Sequence, residues 1–173
     1  KITQAILKFG RQSEPVRKNL NLRAFIPEVA AMVEKKAGVN GIALEKDLAA
    51  DLPEVYGDPA QLQQVLLNLF NNAMDAVSAR HGSEGGHLFI GAGRTENGRV
   101  ALTVRDNGVG IRPEDRDKIF RPFFTTKPVG KGTGLGLSVC YGIIHAMGGT
   151  MEVSSEAGKG TEFTILLPAA EKT

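Results

Sequence analysis

At 173 residues the chain is long enough for one domain with one buried core. Its composition, 42% hydrophobic and 23% charged with a net charge of +2, is that of an ordinary soluble globular protein and gives no global attraction to nucleic acid or an anionic membrane. The single cysteine, Cys140, excludes an internal disulfide; with no signal peptide and no apolar run long enough to cross a bilayer, the chain reads as cytoplasmic.

Because it opens on Lys1 rather than Met, the sequence reads as a piece of a longer protein, with any membrane anchor upstream. QAILKFGR (4–11) has the apolar spacing of a helix end, and SEPVRKNLN is a polar connector, which sets a boundary near 20 between residues 1–20 and a domain over 21–170. Asn21 caps a helix through about Lys36, with Leu22, Phe25, Ile26, Val29, Met32 and Val33 on one face, and GVNG stops it. GIALEKDLA alternates as a strand. Asp58 and Pro59 stand as N-cap and first helical residue of a long helix, Gln61 to Val77, apolar on most of its circumference and therefore largely buried.

RHGSEGG is a loop, and HLFIGAGR and RVALTVRD read as two strands around the turn TENG. A glycine-rich stretch then feeds a helix from about Leu135 to Met147, and TMEVSSEAGKGTEFTILLP reads as a closing hairpin. There is no internal repeat or low-complexity segment. The order of elements predicts a two-layer α/β sandwich, with helices on one face of a mixed, mostly antiparallel sheet.

Three stretches carry chemistry. In LQQVLLNLFNNAMDAV, Asn68, Asn72 and Asp75 fall at i, i+4 and i+7 and form a polar stripe on an apolar helix. Such a stripe either faces solvent and neighbouring backbone, or offers oxygens to a hard cation such as Mg²⁺, which keeps several waters beside a nucleotide's phosphates. In VRDNGVG (104–110), a strand ends on Asp106. DNG is a common hairpin turn; alternatively, the carboxylate accepts from an exocyclic amine while glycines let a flat ring approach. GTGLG (132–136) lacks the pattern of a phosphate-binding GxxxxGK[ST] loop and of a dinucleotide fingerprint, yet it enters a helix whose free amides can receive anionic oxygens.

In this order NLFNNA, DNGVG, IFRPFFTTK and GTGLGL resemble the N, G1, F and G2 boxes of the histidine kinase catalytic domain, within the superfamily of gyrase, heat-shock chaperone, histidine kinase and mismatch-repair ATPases. The resemblance covers residues 21–168, ends on the family-like GKGTEFTILLP, and implies a Bergerat-type sandwich that binds ATP and Mg²⁺. It makes Asn72 the Mg²⁺ ligand and Asn68 a phosphate or metal-shell contact. Asp106 binds the adenine amine, Gly108 and Gly110 shape the pocket, and Thr161 helps through water. Gly132, Thr133, Gly134 and Gly136 close over the triphosphate, with Leu135 contributing backbone amide. Residues 111–133 form a lid pinned by Phe120, Phe123 and Phe124, from which Lys127 and Lys131 offer charge to the phosphates.

One position departs from a common pattern: many of these kinases carry Lys three residues after the metal Asn, where this chain has Asp75, and NAMDAV with PFFTTK resembles the branch of nitrogen-regulation and dicarboxylate-sensing kinases. Hydrolysing members carry a general-base Glu one turn before the metal Asn. Here that position is Asn68, whose amide takes no proton at neutral pH, which favours a kinase over a hydrolase. Asn68, Asn72 and Lys127 are then the residues expected to assist transfer. His81, His87 and His145 each read as surface or packing histidines, so the phosphoacceptor is expected on a dimerisation domain whose second helix ends in QAILKFGR. The implied partners are that domain and a downstream response regulator. The piece alone is expected to be monomeric and the whole protein a homodimer. An anti-sigma-type serine kinase, an ATP-hydrolysing relative and a non-catalytic nucleotide-binding module are the alternatives.

Overall fold

The computed structural model describes residues 16–122, 124 and 136–170. Strand β1 (Lys18–Leu20) precedes helix α1 (Leu22–Val39), followed by β2 (Ile42–Leu48), β3 (Val55–Gly57) and α2 (Pro59–His81). Strands β4 (Gly86–Arg94) and β5 (Val100–Asp106), a 3₁₀ turn (Pro113–Asp115), α3 (Gly136–Ala146) and the hairpin β6 (Thr150–Glu156) and β7 (Gly160–Leu167) complete the order. Among the described residues, no helix is long and apolar enough to cross a membrane.

Both long helices start where a side-chain oxygen can satisfy a free amide. Asn21 accepts from the Arg23 amide at 3.1 Å, and Asp58 accepts from that of Ala60 at 2.8 Å, with Pro59 at a position that needs no N–H. α2 runs four residues past the predicted Val77, so Arg80 and His81 belong to its last turn rather than to the loop. On α1, Leu22, Ile26, Val29 and Val33 are buried, but Met32 is 59% exposed. Three residues after Val29 and one before Val33, Met32 falls on the solvent edge of the apolar stripe, which corrects the sequence reading.

Five strands form one sheet in the order β2-β4-β5-β7-β6; β2 and β4 are parallel and the remaining pairs antiparallel. The parallel pair requires a crossover, which α2 supplies. The three helices of the described residues lie on one face, where Leu88, Ile90, Leu102, Val104, Ile165 and Leu167 meet Leu62, Val65, Leu66, Leu69 and Phe70 of α2. The predicted two-layer sandwich is thus the observed one. On the opposite face, Arg105 lies 4.4 Å from the ring centre of Phe89 and 3.7 Å from Glu162.

Part of the predicted polar connector is ordered differently. Lys18–Leu20 pairs antiparallel with β3 as a separate two-stranded sheet, and Val55 also bridges to Ala169. The Ala170 amide donates to the Glu54 carbonyl at 2.7 Å, so the two ends of the described domain meet on β3.

Candidate functional site

The loop after β5 is built against α2. Gly108 has no room for a side chain: a Cβ there would sit 2.5 Å from the carbonyl carbon of Ala76 and 2.7 Å from its Cβ. The Val109 amide donates to the Ala76 carbonyl at 3.1 Å, and the Gly158 amide to the Val109 carbonyl at 2.7 Å. Asn107 holds the other side, accepting from the His87 amide at 2.8 Å and donating to the Gly85 carbonyl at 3.0 Å. Its own carbonyl accepts from Arg80 at 2.9 Å and from His81 Nε2 at 2.8 Å, so Nε2 carries the proton. DNGVG is therefore not a two-residue hairpin turn but a loop clamped between helix end and sheet.

This clamp buries Asp106 at the end of β5. Burial pushes its carboxyl up to about 6, partly offset by hydrogen bonds from the backbone of Gly108, at 2.8 Å, and of Thr161. Thr161 faces Asp106 across the β5–β7 register and Ser155 across the β6–β7 register. Asp106, Ser155 and Thr161, with Asp115 of the 3₁₀ turn, are the buried polar side chains among the described residues. Asp115 accepts from Arg112 Nε at 3.0 Å, and the neighbouring Arg116 donates to the Ser155 carbonyl.

Asn72 and Asn68 lie one and two turns before Ala76 on α2, both half-buried, and Asp75 is exposed. Asn68 Nδ2 donates to Cys140 Sγ at 3.6 Å, and Cys140 in turn donates to the Val65 carbonyl at 3.8 Å. With the thiol proton so used, the amide nitrogen of Asn68 faces Cys140 and its oxygen is the group left for other partners. Gly136, the first residue of α3, adjoins Asn68: a Cβ there would sit 4.0 Å from Asn68 Cγ. Phe120 packs on the core beside Tyr141, with ring centres 5.4 Å apart, and Phe124 also packs against it.

The structure thus gathers Asp106, Gly108, Gly110 and Thr161 at one end of α2, and Asn68, Asn72 and Gly136 further toward its start. Ala76 and Asn68 are about 12 Å apart along the helix at its usual rise. Phe123, Lys127, Lys131, Gly132, Thr133, Gly134 and Leu135 lie outside the described residues. Sequence reasoning missed Ser155 and the partnership of Cys140 with Asn68. The first was signalled by the alternation Met151, Val153, Ser155, which places the serine on the buried face; the second needed the packing of α3 on α2.

Burial also pushes the Cys140 thiol up to about 11, the hydrogen bond from Asn68 offsetting part of the rise. At pH 8 only about one molecule in a thousand then carries the thiolate, so a disulfide reagent is expected to modify Cys140 only as fast as the core opens. The check is the labelling rate with and without urea; rapid modification of the native protein contradicts the packing described.

Residues 57–171 match the family model described as histidine kinase-, DNA gyrase B-, and HSP90-like ATPase. The chain is 36% identical over 169 residues to the sensor histidine kinase ZraS of Escherichia coli (strain K12), covering 97% of this chain and 34% of the relative. It thus spans about a third of that protein's length. Full-length ShkA in complex with AMPPNP superposes with a TM-score of 0.82 at 30% identity, covering 99% of this chain and 36% of that one. Histidine kinase ThkA in complex with the response regulator protein TrrA superposes with a TM-score of 0.77 at 28% identity, covering 98% and 46%.

Proposed function

We propose, for a chain that belongs to the family of histidine kinase-, DNA gyrase B- and HSP90-like ATPases, that it is the catalytic, ATP-binding domain of a sensor histidine kinase and transfers the γ-phosphate to a histidine on a separate dimerisation domain. The observation that carries this reading is the pairing of a buried acceptor, Asp106, at the start of the loop packed on Ala76 of α2 with the amide Asn68, in place of a general base, two turns earlier on the same helix. Adenine lies against Asp106, Gly108, Gly110 and Thr161. The phosphates run along α2 toward Asn72, Asn68 and the start of α3, where the helix amides of Gly136 and its neighbours favour negative charge. The likeness to ShkA, crystallised with AMPPNP, supports the binding of ATP.

The residues present fit a Mg²⁺ ion. Among the described residues no cluster of three acidic, His or Cys groups could cage a metal alone, whereas Asn72 and the oxygen of Asn68 offer the one or two hard ligands that Mg²⁺ takes beside phosphates and water. When bound, the ion neutralises charge on the transferring group. The chain's own part is positioning: Asp106 fixes the base and Asn72 and Asn68 the phosphate end, while Lys127, Lys131 and the glycines at 132 and 134, which lie outside the described residues, are assigned to the phosphates by the resemblance of their motif alone. Asn68 cannot take a proton from water, so the site holds ATP without directing its hydrolysis, unlike a hydrolysing relative.

The nucleophile then comes from outside. The similar proteins are kinases, one of them in complex with a response regulator, which supports a histidine acceptor over the serine of an anti-sigma-type kinase and a regulator as the next phosphate recipient. Of residues 1–20, read from the sequence as the remnant of the second dimerisation helix and its connector, Lys18–Leu20 belong to the domain through their pairing with β3, and the remnant and connector are assigned to the residues before them. The domain alone is monomeric, and the whole protein is a homodimer through its dimerisation helices. Mixing this chain with ATP, Mg²⁺ and a separately produced dimerisation domain of the same protein is expected to give an acid-labile, base-stable phosphoprotein. Absence of that product, with both components folded, would contradict the assignment.

A further inference from the structure

Ser155 Oγ makes three hydrogen bonds at the buried end of the sheet. It receives the Ile111 amide at 2.8 Å, it lies 2.9 Å from the Gly160 carbonyl, and it lies 2.9 Å from Thr161 Oγ1. A hydroxyl has one proton and two lone pairs. The amide of Ile111 can only donate, so it occupies one lone pair. The carbonyl of Gly160 can only accept, so it takes the one proton. What remains toward Thr161 is a lone pair, and the Thr161 hydroxyl must therefore be the donor in that contact. Its proton is committed to Ser155, and the Thr161 oxygen is left with acceptor capacity alone.

Thr161 and Asp106 are cross-strand partners at the site's inner end, both buried, and the Thr161 backbone also bonds to the Asp106 carboxyl. An ionised carboxylate is likewise acceptor-only. The strand ends thus offer two acceptors side by side to whatever purine lies against them. The 6-amino group of adenine carries two N–H donors and satisfies both, directly or through water. A 6-oxo purine brings an acceptor to the same place, its N–H donor now at ring N1, and sets that 6-oxo acceptor against the oxygens that the amino group satisfied, the kind of mismatch that discriminates more strongly than a lost contact.

We propose that Ser155 is the positioning residue that sets the purine preference of this site, by holding the proton of Thr161 away from the base. The proposal rests on the reading that the base lies against Asp106, and extends it to a residue that need not touch the nucleotide. The same serine joins the base end of the site to the segment entering residues 111–122, because Ile111 donates to its hydroxyl and Arg116 to its carbonyl.

With Ser155 replaced by Ala, the Thr161 hydroxyl regains its rotation and can donate to a 6-oxo group. The test compares ATP with ITP, which exchanges the 6-amino for a 6-oxo group and adds no 2-amino group. Calorimetric Kd values are measured for the wild-type chain, Ser155→Ala, Ser155→Thr, Thr161→Val and the double variant Ser155→Ala/Thr161→Val. The expected result is a preference for ATP in the wild type that falls about tenfold in Ser155→Ala, the size of one hydrogen-bond difference. Ser155→Thr, which keeps a hydroxyl, restores the preference. In the Thr161→Val background, Ser155→Ala changes the ATP to ITP ratio no further, because the proton it controls is gone.

A purely structural serine would weaken both nucleotides alike. Kd values that rise in parallel in Ser155→Ala, with the ratio unchanged, overturn the proposal while leaving the nucleotide site standing. Wild-type protein that binds neither nucleotide overturns both the proposal and the site on which it rests. Circular dichroism and urea melting of each variant show whether an affinity is read on folded protein.

Discussion

Asp106→Asn is expected to weaken ATP binding by about 10- to 100-fold, the effect of turning a buried charged acceptor into a group that meets the adenine amine with its own donors. The Asn oxygen can still receive the Gly108 amide, so the loop has a partner and the loss falls on the ligand. The same substitution is expected to stabilise the empty protein at pH 8. A carboxyl whose native value is raised from 3.8 to about 6 is destabilising when ionised. Its favourable contribution is complete below about pH 4 and is lost as the pH rises through 6, a swing of up to about 3 kcal/mol that Asn does not share. Urea melts should therefore show the variant more stable than the wild type at pH 8, with the gap closing toward pH 4. In the wild type, ATP affinity should fall as the pH drops below about 6, because the protonated acid no longer offers two acceptors. A pH-independent affinity, or a variant less stable at pH 8, contradicts the buried-carboxylate account.

Gly110→Ala is the second large effect. Gly110 has φ +73°, a conformation that strains a residue with a Cβ, and the added atom would lie 2.2 Å from the Glu156 carbonyl oxygen and 3.0 Å from Ala157 Cα. Those are backbone atoms of the β6–β7 turn, tied to the same loop by the Gly158 to Val109 hydrogen bond, so they cannot step aside as a side-chain tip would. Strain and displacement together should cost roughly 2–4 kcal/mol and move the loop that holds Asp106, lowering nucleotide affinity as well. Gly142→Ala supplies the contrast. That glycine lies within α3 with nothing within 4 Å of an added Cβ, so Ala there should add roughly 0.5–1 kcal/mol. Denaturant midpoints of the two variants should move in opposite directions; movement in the same direction would show that the G1 loop is not packed as described.

Much of this fold was legible because its signals are local. Asn21 and Asp58 cap in place, the alternation of RVALTVRD puts Leu102, Val104 and Asp106 on one face, and EAGKG closes the last hairpin. Strands of three residues, such as β1 and β3, are too short to show alternation, and only their pairing reveals them. Met32 failed because a single sequence does not tell the edge of an apolar stripe from its centre. At the site, Asp106 and the stripe of Asn68 and Asn72 were readable as residue types at a spacing. The direction of a hydroxyl proton on Thr161, or the use of the Cys140 thiol to orient Asn68, depends on groups 6 and 72 residues away in the chain and appears only once strands and helices are packed. The resemblance to histidine kinases pointed to the site residues; the packing of Ala76 against Gly108 explains why those residues converge.

The most direct measurement is a calorimetric titration of ATP into this chain, with and without Mg²⁺, repeated on Asn72→Ala. Wild-type protein should bind ATP with an affinity that Mg²⁺ strengthens, and the variant should still bind ATP without that strengthening. Absence of ATP binding in the folded wild type, or a magnesium effect that survives the loss of Asn72, would contradict the proposed site.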